Sequence, residues 1–217
     1  MDLNRLHGSS RRRHPLSRTG PVLVQASPAS AKTLLRAVLR ENRQGLAAQA
    51  PDAGERAAAL FPTQRLAGVS VASAYGAMAD EIDPWPLMRF LARSGVRLAL
   101  PAVVKRGARL VFRAFSEGDP LAPDAARIPA PLPTAPELSP DLIIAPLLAF
   151  DRFGGRMGQG GGYYDRTLAA LRASGPVFVL GLAFAGQEIA RVPTEPHDQR
   201  LDAILTEKAY IEAEKDF

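Results

Sequence analysis

Four consecutive apolar residues, Leu142-Ile143-Ile144-Ala145, are closed by Pro146 and followed shortly by Gly154, Gly155, Gly158, Gly160, Gly161 and Gly162. No other stretch constrains the fold of this chain as much. A short continuous apolar run bounded by a turn residue has the pattern of a strand covered on both faces in a parallel sheet. Pro146 ends the strand because it cannot donate to the ladder. Beyond the glycines, Asp165 stands where it can cap a helix running through Leu168 and Leu171. The glycines are therefore expected to join the end of a buried strand to a helix N-terminus. Free N–H groups and the helix dipole favour an anion there, and glycine lets a ligand come close to the backbone. Arg156 and Arg166 add positive charge, so a nucleotide phosphate is the first ligand to test.

Two familiar phosphate fingerprints do not fit. GxxxxGK[ST] requires a Lys and a hydroxyl residue where this chain has Tyr163 and Tyr164. GxGxxG, started from Gly158 and Gly160, reaches Tyr163 at its last position. On the residues alone, a surface loop without a ligand stays open beside the phosphate site.

Strand-like and helix-like segments alternate around this centre. Ser30 can cap a helix with Leu34, Leu35, Val38, Leu39 and Leu46 on one stripe, and Lys32, Arg36, Arg40 and Arg43 on the neighbouring face. A solvated basic face is the simplest account of those four. Asp52 with Glu55 has the form of a capping box before an Ala-rich helix that Pro62 limits. The alternation Val69, Val71, Ser73, Tyr75 reads as a strand ending at Gly76. Asp83 and Pro84 then start a helix through Leu87, Phe90 and Leu91, stopped by Gly95. Glu81, between that strand and that helix, reads as an exposed loop carboxylate or a ligand contact. Val96 to Leu100 and Leu110 to Phe115 follow as strands, and the prolines from Pro120 to Pro140 exclude a regular helix or central strand. Val177 to Phe184 is long enough for a central strand, and Ala203 to Leu205 for a short edge strand. The pattern predicts a single three-layer α/β/α domain with a mainly parallel sheet and a ligand crevice at the carboxyl ends of its strands.

The formal net charge of +5 invites a nucleic-acid or membrane partner until its position is examined. Arg5, Arg11, Arg12, Arg13 and Arg18 against Asp2 place four of those charges in the first twenty residues. Residues 1–28 lack periodicity and are expected to form a disordered basic tail, leaving residues 29–217 as a nearly neutral α/β domain. Without interleaved aromatics for base stacking, nucleic acid is not expected as a partner. The absence of cysteine rules out disulfides and thiolate metal sites. No apolar run reaches the roughly 18 to 20 residues of a membrane span, and no apolar core follows the N-terminal charges. A cytoplasmic monomer is expected.

The order apolar strand, Pro146, Phe150-Asp151, Arg156-Met157-Gly158-Gln159-Gly160, Gly162-Tyr163-Tyr164-Asp165 resembles the signature of the 5-formyltetrahydrofolate cyclo-ligases, also called 5,10-methenyltetrahydrofolate synthetases. The resemblance implies ATP- and Mg2+-dependent closure of 5-formyltetrahydrofolate to the 5,10-methenyl form. It implies catalytic roles for Lys32 and Arg156. ATP contacts would come from Lys32, Thr33, Leu34, Leu35 and Arg36 on the first helix and from Arg156, Met157, Gly158, Gln159, Gly160, Gly161, Gly162, Tyr163 and Tyr164. Folate contacts would come from Arg36, Gly76, Glu81 and the Gln159 to Tyr163 stretch. The metal would sit on Asp165 and on Asp198, which matches a Pro-x-x-x-x-Asp loop; His197 reads as a loop residue. Phe115 stands where relatives often carry a Trp, although it and Trp85 read first as packing residues. Gln159 and Gly161 occupy positions where some relatives have basic side chains, so fewer loop charges are available. A catalytically silent nucleotide- or folate-binding module of the same fold is the alternative reading.

Overall fold

The computed structural model describes residues 28–78 and 80–214, so the expected basic tail lies almost wholly outside the described residues. In chain order, α1 (Pro28–Gln49) and α2 (Ala53–Ala59) precede β1 (Val71–Ser73), α3 (Trp85–Arg93), β2 (Arg97–Ala102) and β3 (Val111–Ala114). Two short strands, β4 (Leu121–Pro123) and β5 (Pro129–Pro131), pair with each other in the proline-rich stretch and lead to β6 (Leu142–Ala145). A hairpin of β7 (Ala149–Phe150) and β8 (Arg156–Met157) comes next. It is followed by α4 (Tyr163–Ser174), β9 (Phe178–Leu182), β10 (Ala203–Leu205) and β11 (Tyr210–Glu212).

The main sheet runs β11-β10-β9-β6-β1-β2-β3. Its inner pairs are parallel, while β3 and β11 join antiparallel at the two edges. The three-layer, mainly parallel domain expected from the pattern is therefore present. Within β6, Leu142 and Ile144 face the layer of α2 and α3, where Phe61, Leu87, Met88 and Leu91 lie, while Ile143 and Ala145 face Leu168 of α4. Continuous apolarity in the sequence thus encodes two buried faces, each large β6 side chain contributing roughly 1.5 to 3 kcal/mol relative to exposure. Asp141, just before β6, fixes its start against β1 by accepting from Ser70 N at 2.8 Å and Val71 N at 3.0 Å.

Some local expectations need correction. Strand β10 is not an edge, because β11 covers it. Helix α1 already includes Pro28, which suits a first turn whose N–H groups have no partner, so Ser30 is not its cap. Asp52 makes no capping hydrogen bond and pairs with Arg56 instead, at 3.1 Å. The apolar stripe of α1 divides: Leu35, Leu39 and Leu46 face protein, whereas Leu34 and Val38 are 64% and 63% exposed.

Candidate functional site

The chain passes from β1 to β2 toward one edge of the sheet and from β6 through β9 to β10 toward the other. Connections leaving β1 and β6 therefore part at their carboxyl ends and open a crevice, the usual ligand position in such sheets. Residues 74–78 and 80–84 form one wall and residues 146–162 the other, and arginines of α1 reach both.

The wall after β6 is built on Asp151. Its carboxylate is 1% exposed and accepts from Phe153 N and Gly155 N, both at 2.9 Å, and from Val192 N at 2.8 Å. This closes the β7–β8 hairpin and ties it to the loop carrying Asp198. Gly154 and Gly155 serve that turn. A Cβ on Gly155 would lie 2.5 Å from the Asp151 carboxylate, and Gly154 sits at φ +79°. The next glycines do something else: Gly158 and Gly160 run directly beneath guanidinium groups, their hypothetical Cβ atoms meeting Arg156 Nη1 and Arg36 Cζ, each at 3.3 Å.

Those guanidiniums show that the basic face of α1 is not simply solvated. Arg36 Nε donates to Gly158 O at 3.1 Å, and Arg40 Nε to Gln159 Oε1 at 2.8 Å. Lys32 Nζ meets Glu195 Oε1 at 2.6 Å, and this ammonium holds Glu195 below the usual carboxylate range. Spacing of about four residues puts these side chains on one helix face, and that face lies on the glycine loop. Arg40 brings a charge to Gln159, where the loop itself lacks one. Leu35 packs with Leu39 under the hairpin, while Thr33 and Leu34 face outward. Met157 turns its side chain into the same apolar cluster, so only its backbone borders the loop.

At the far end of the loop, Gly162 in the left-handed region (φ 63°) is the N-cap of α4. Asp165 is therefore the third helical residue and not the cap. Its Oδ1 accepts from Arg156 Nη2 at 3.0 Å and from Gln199 N at 3.1 Å. Arg156, whose side chain is 5% exposed, lies 5.4 Å over the Tyr164 ring, and its buried Nε has no hydrogen-bond partner among the described residues. Desolvation pushes the Tyr164 phenol far up, offset in part by Arg156. Arg166 lies 5.4 Å over the Tyr163 ring and donates to Gly161 O at 2.7 Å.

Asp198 precedes Gln199, so the Asp165–Gln199 bond brings both candidate metal ligands to the same end of the crevice. Asp198 Oδ2 accepts from Glu195 N at 2.7 Å, and His197 Nε2 lies 3.7 Å from its Oδ1. Among the described residues no group of three or more His, Cys, Asp and Glu could cage an ion. Two carboxylates nevertheless suit Mg2+ that takes its other ligands from water and phosphate oxygens. The unpartnered Nε of Arg156 beside them suits a phosphate.

Across the crevice, Glu81 is 8% exposed rather than an open loop carboxylate. Its Oε1 accepts from Arg43 at 2.9 Å and its Oε2 from Met78 N at 3.0 Å. Gly76 is exposed beside the proline-rich stretch. Trp85 and Phe115 pack together with ring centres 5.7 Å apart, Phe115 being buried. Reading of the sequence missed Arg43 and Glu195 as members of the site.

Comparison with known proteins gives the family and the fold of the chain. A family model described as the 5-formyltetrahydrofolate cyclo-ligase family matches residues 28–207, which include α1 and both crevice walls. A 5-formyltetrahydrofolate cyclo-ligase of Mycolicibacterium smegmatis is 31% identical over 198 residues, covering 86% of this chain and 98% of that protein. The enzyme of the same name from Escherichia coli K12 is 35% identical over 133 residues, covering 58% of this chain and 71% of its own length. The solved structure of 5,10-methenyltetrahydrofolate synthetase from Aquifex aeolicus shares the fold, with a TM-score of 0.70 at 24% identity over 86% of this chain and 94% of that one.

Proposed function

Because this chain belongs to the 5-formyltetrahydrofolate cyclo-ligase family, we propose that it is an enzyme closing 5-formyltetrahydrofolate to 5,10-methenyltetrahydrofolate with ATP and Mg2+ as its requirements. A formamide oxygen is a poor leaving group, so N10 cannot close the ring until that oxygen is activated. In the proposed sequence the formyl oxygen attacks the γ-phosphorus and the bond to ADP breaks. The N10 lone pair then attacks the formyl carbon, the carbon–oxygen bond to phosphate breaks, and N10 gives up its proton. No protein nucleophile is required, so positioning and neutralisation of charge carry the catalysis.

The observation that carries this reading is the meeting of Arg36 and Arg156 at the Gly158 to Gly160 backbone, with Asp165 bonded to Arg156 and Lys32 bonded to Glu195 of the loop that carries Asp198. In our assignment the loop N–H groups, Lys32, Arg36 and Arg156 take the phosphates, and Glu81 accepts from the pterin N–H groups. Asp165 and Asp198 would hold Mg2+, which supplies further screening of phosphate charge when bound. With the protein and formyl folate present, methenyl-folate absorbance should rise only if both ATP and Mg2+ are added. A rise without ATP would refute the proposal.

Glu81→Gln is expected to raise KM for 5-formyltetrahydrofolate by about ten- to a hundredfold, the usual worth of a hydrogen bond to a charged group, with KM for ATP nearly unchanged. Steady-state kinetics with each substrate varied in turn checks this. Removing Glu195, the anion that occupies Lys32, should act in the opposite direction on the other substrate. Glu195→Gln is expected to lower KM for ATP by about two- to fivefold, and by less at high salt, as for exposed pairs generally. No change across a salt series would mean that Lys32 does not serve the nucleotide.

A further inference from the structure

Arg43 touches both crevice walls at once. It rises from α1, is 2% exposed, and donates from Nε and Nη2 to Asp80 Oδ2 at 3.1 and 2.9 Å. Its Nη1 donates to Glu81 Oε1 at 2.9 Å and to Leu147 O at 3.3 Å. Asp80 and Glu81 follow β1, whereas Leu147 follows β6. A single guanidinium therefore fixes the separation of the two strand ends between which the crevice opens.

We propose that Arg43 is the positioning residue of the folate half of the site, setting where the Glu81 carboxylate stands and so how tightly 5-formyltetrahydrofolate binds. This rests on the reading of Glu81 as the folate contact. Each Glu81 oxygen is anchored once by the protein, Oε1 by Arg43 and Oε2 by Met78 N. A carboxylate offers about four acceptor positions, so capacity for donors from a ligand remains. Charge gives a second reason. One guanidinium faces two carboxylates whose side chains are only 21% and 8% exposed, leaving an excess negative charge in a poorly hydrated place. A ring edge rich in N–H donors is the chemistry that relieves it. Glu81 also contributes to raising the Tyr75 and Tyr164 phenols, after desolvation, so its charge is felt at the first turn of α4 on the opposite wall. The fork of Arg43 is essential to this arrangement, because an ammonium cannot present fixed N–H groups to Asp80, Glu81 and Leu147 O together.

The test compares Arg43→Met, Arg43→Lys, Glu81→Gln and the Arg43→Met/Glu81→Gln double variant, each as the full chain. Arg43→Met is expected to raise KM for 5-formyltetrahydrofolate by about tenfold or more and KM for ATP by less than about threefold. Calorimetric binding of the folate without ATP should weaken in parallel. In the Glu81→Gln background the same substitution should add less than about threefold, because the group it positions is already gone. Arg43→Lys should show the same selectivity at smaller size, and it decides the matter if Arg43→Met does not fold. Equal shifts in both Michaelis constants, or a full additional loss in the Glu81→Gln background, would make Arg43 a structural clamp only and overturn the proposal. If Glu81→Gln itself leaves the folate KM unchanged, the reading of Glu81 fails first. If Glu81→Gln is selective and Arg43→Met is not, the role of Arg43 fails alone.

Discussion

Arg156→Met is expected to lower turnover by about a hundred- to a thousandfold, the range seen when one preorganised donor to developing charge is removed. Met has nearly the length of the arginine stem and can keep the apolar contact with Tyr164, so the hairpin should survive. Asp165 would keep its bond from Gln199 N. The loss should fall on phosphoryl transfer, because the Arg156 guanidinium already lies between Asp165 and the glycine backbone with its Nε unused. Arg156→Lys should fall between the two, since a lysine keeps the charge and loses the fork. Single-turnover rates at saturating ATP, together with a melting curve for each variant, separate the two contributions. A loss below about tenfold in a normally folded Arg156→Met protein would leave Arg156 as a partner for Asp165 and no more.

The largest effect on stability is expected at Gly154, which belongs to the same motif but has no ligand to serve. Alanine there must adopt a left-handed backbone, at about 1 to 2 kcal/mol. Its Cβ would also lie 2.4 Å from Leu201 O, a backbone atom that cannot swing aside, and 3.2 Å from Ala213 Cβ. Displacing that segment strains the bond from Leu201 N to Gly154 O, now 2.8 Å. The sum is about 3 kcal/mol or more, a fall in Tm of roughly 6 to 12 °C for a chain of this size. Gly45 in α1 is the internal control. Nothing lies within 4 Å of a Cβ there, so Gly45→Ala should raise stability by about 0.5 to 1 kcal/mol. Thermal unfolding of the two variants beside the parent protein decides both statements.

How much was legible in the sequence depended on whether the signal was local. The unbroken run Leu142 to Ala145 contained its own evidence, since only a strand with two covered faces has a use for four apolar residues in a row. Glu81 could be located from the turn between strand and helix, but its burial could not, because the partner that buries it lies 38 residues away. Asp165 was misassigned as a cap because the rule for caps looks for a short polar side chain, whereas Gly162 caps α4 through its backbone conformation alone. The glycines read as one cluster, yet they divide between a turn closed on Asp151 and a backbone lying under arginines. Arg43 left little trace, because it keeps the helical spacing of Lys32, Arg36 and Arg40, and the carboxylates that bury it lie 37 and 38 residues away.

The contacts of α1 with the site also determine when the protein can work during its own synthesis. Lys32 waits for Glu195 across 163 residues, Arg36 for Gly158 across 122, and Arg40 for Gln159 across 119. At about 5 to 20 residues per second, roughly ten to thirty seconds separate the emergence of Lys32 from that of its partner. Through most of that interval α1 carries Leu35 and Leu39 with no hairpin to cover them. The helix that completes the crevice is made before its partners and can dock only once they exist, when loops of more than a hundred residues must close together.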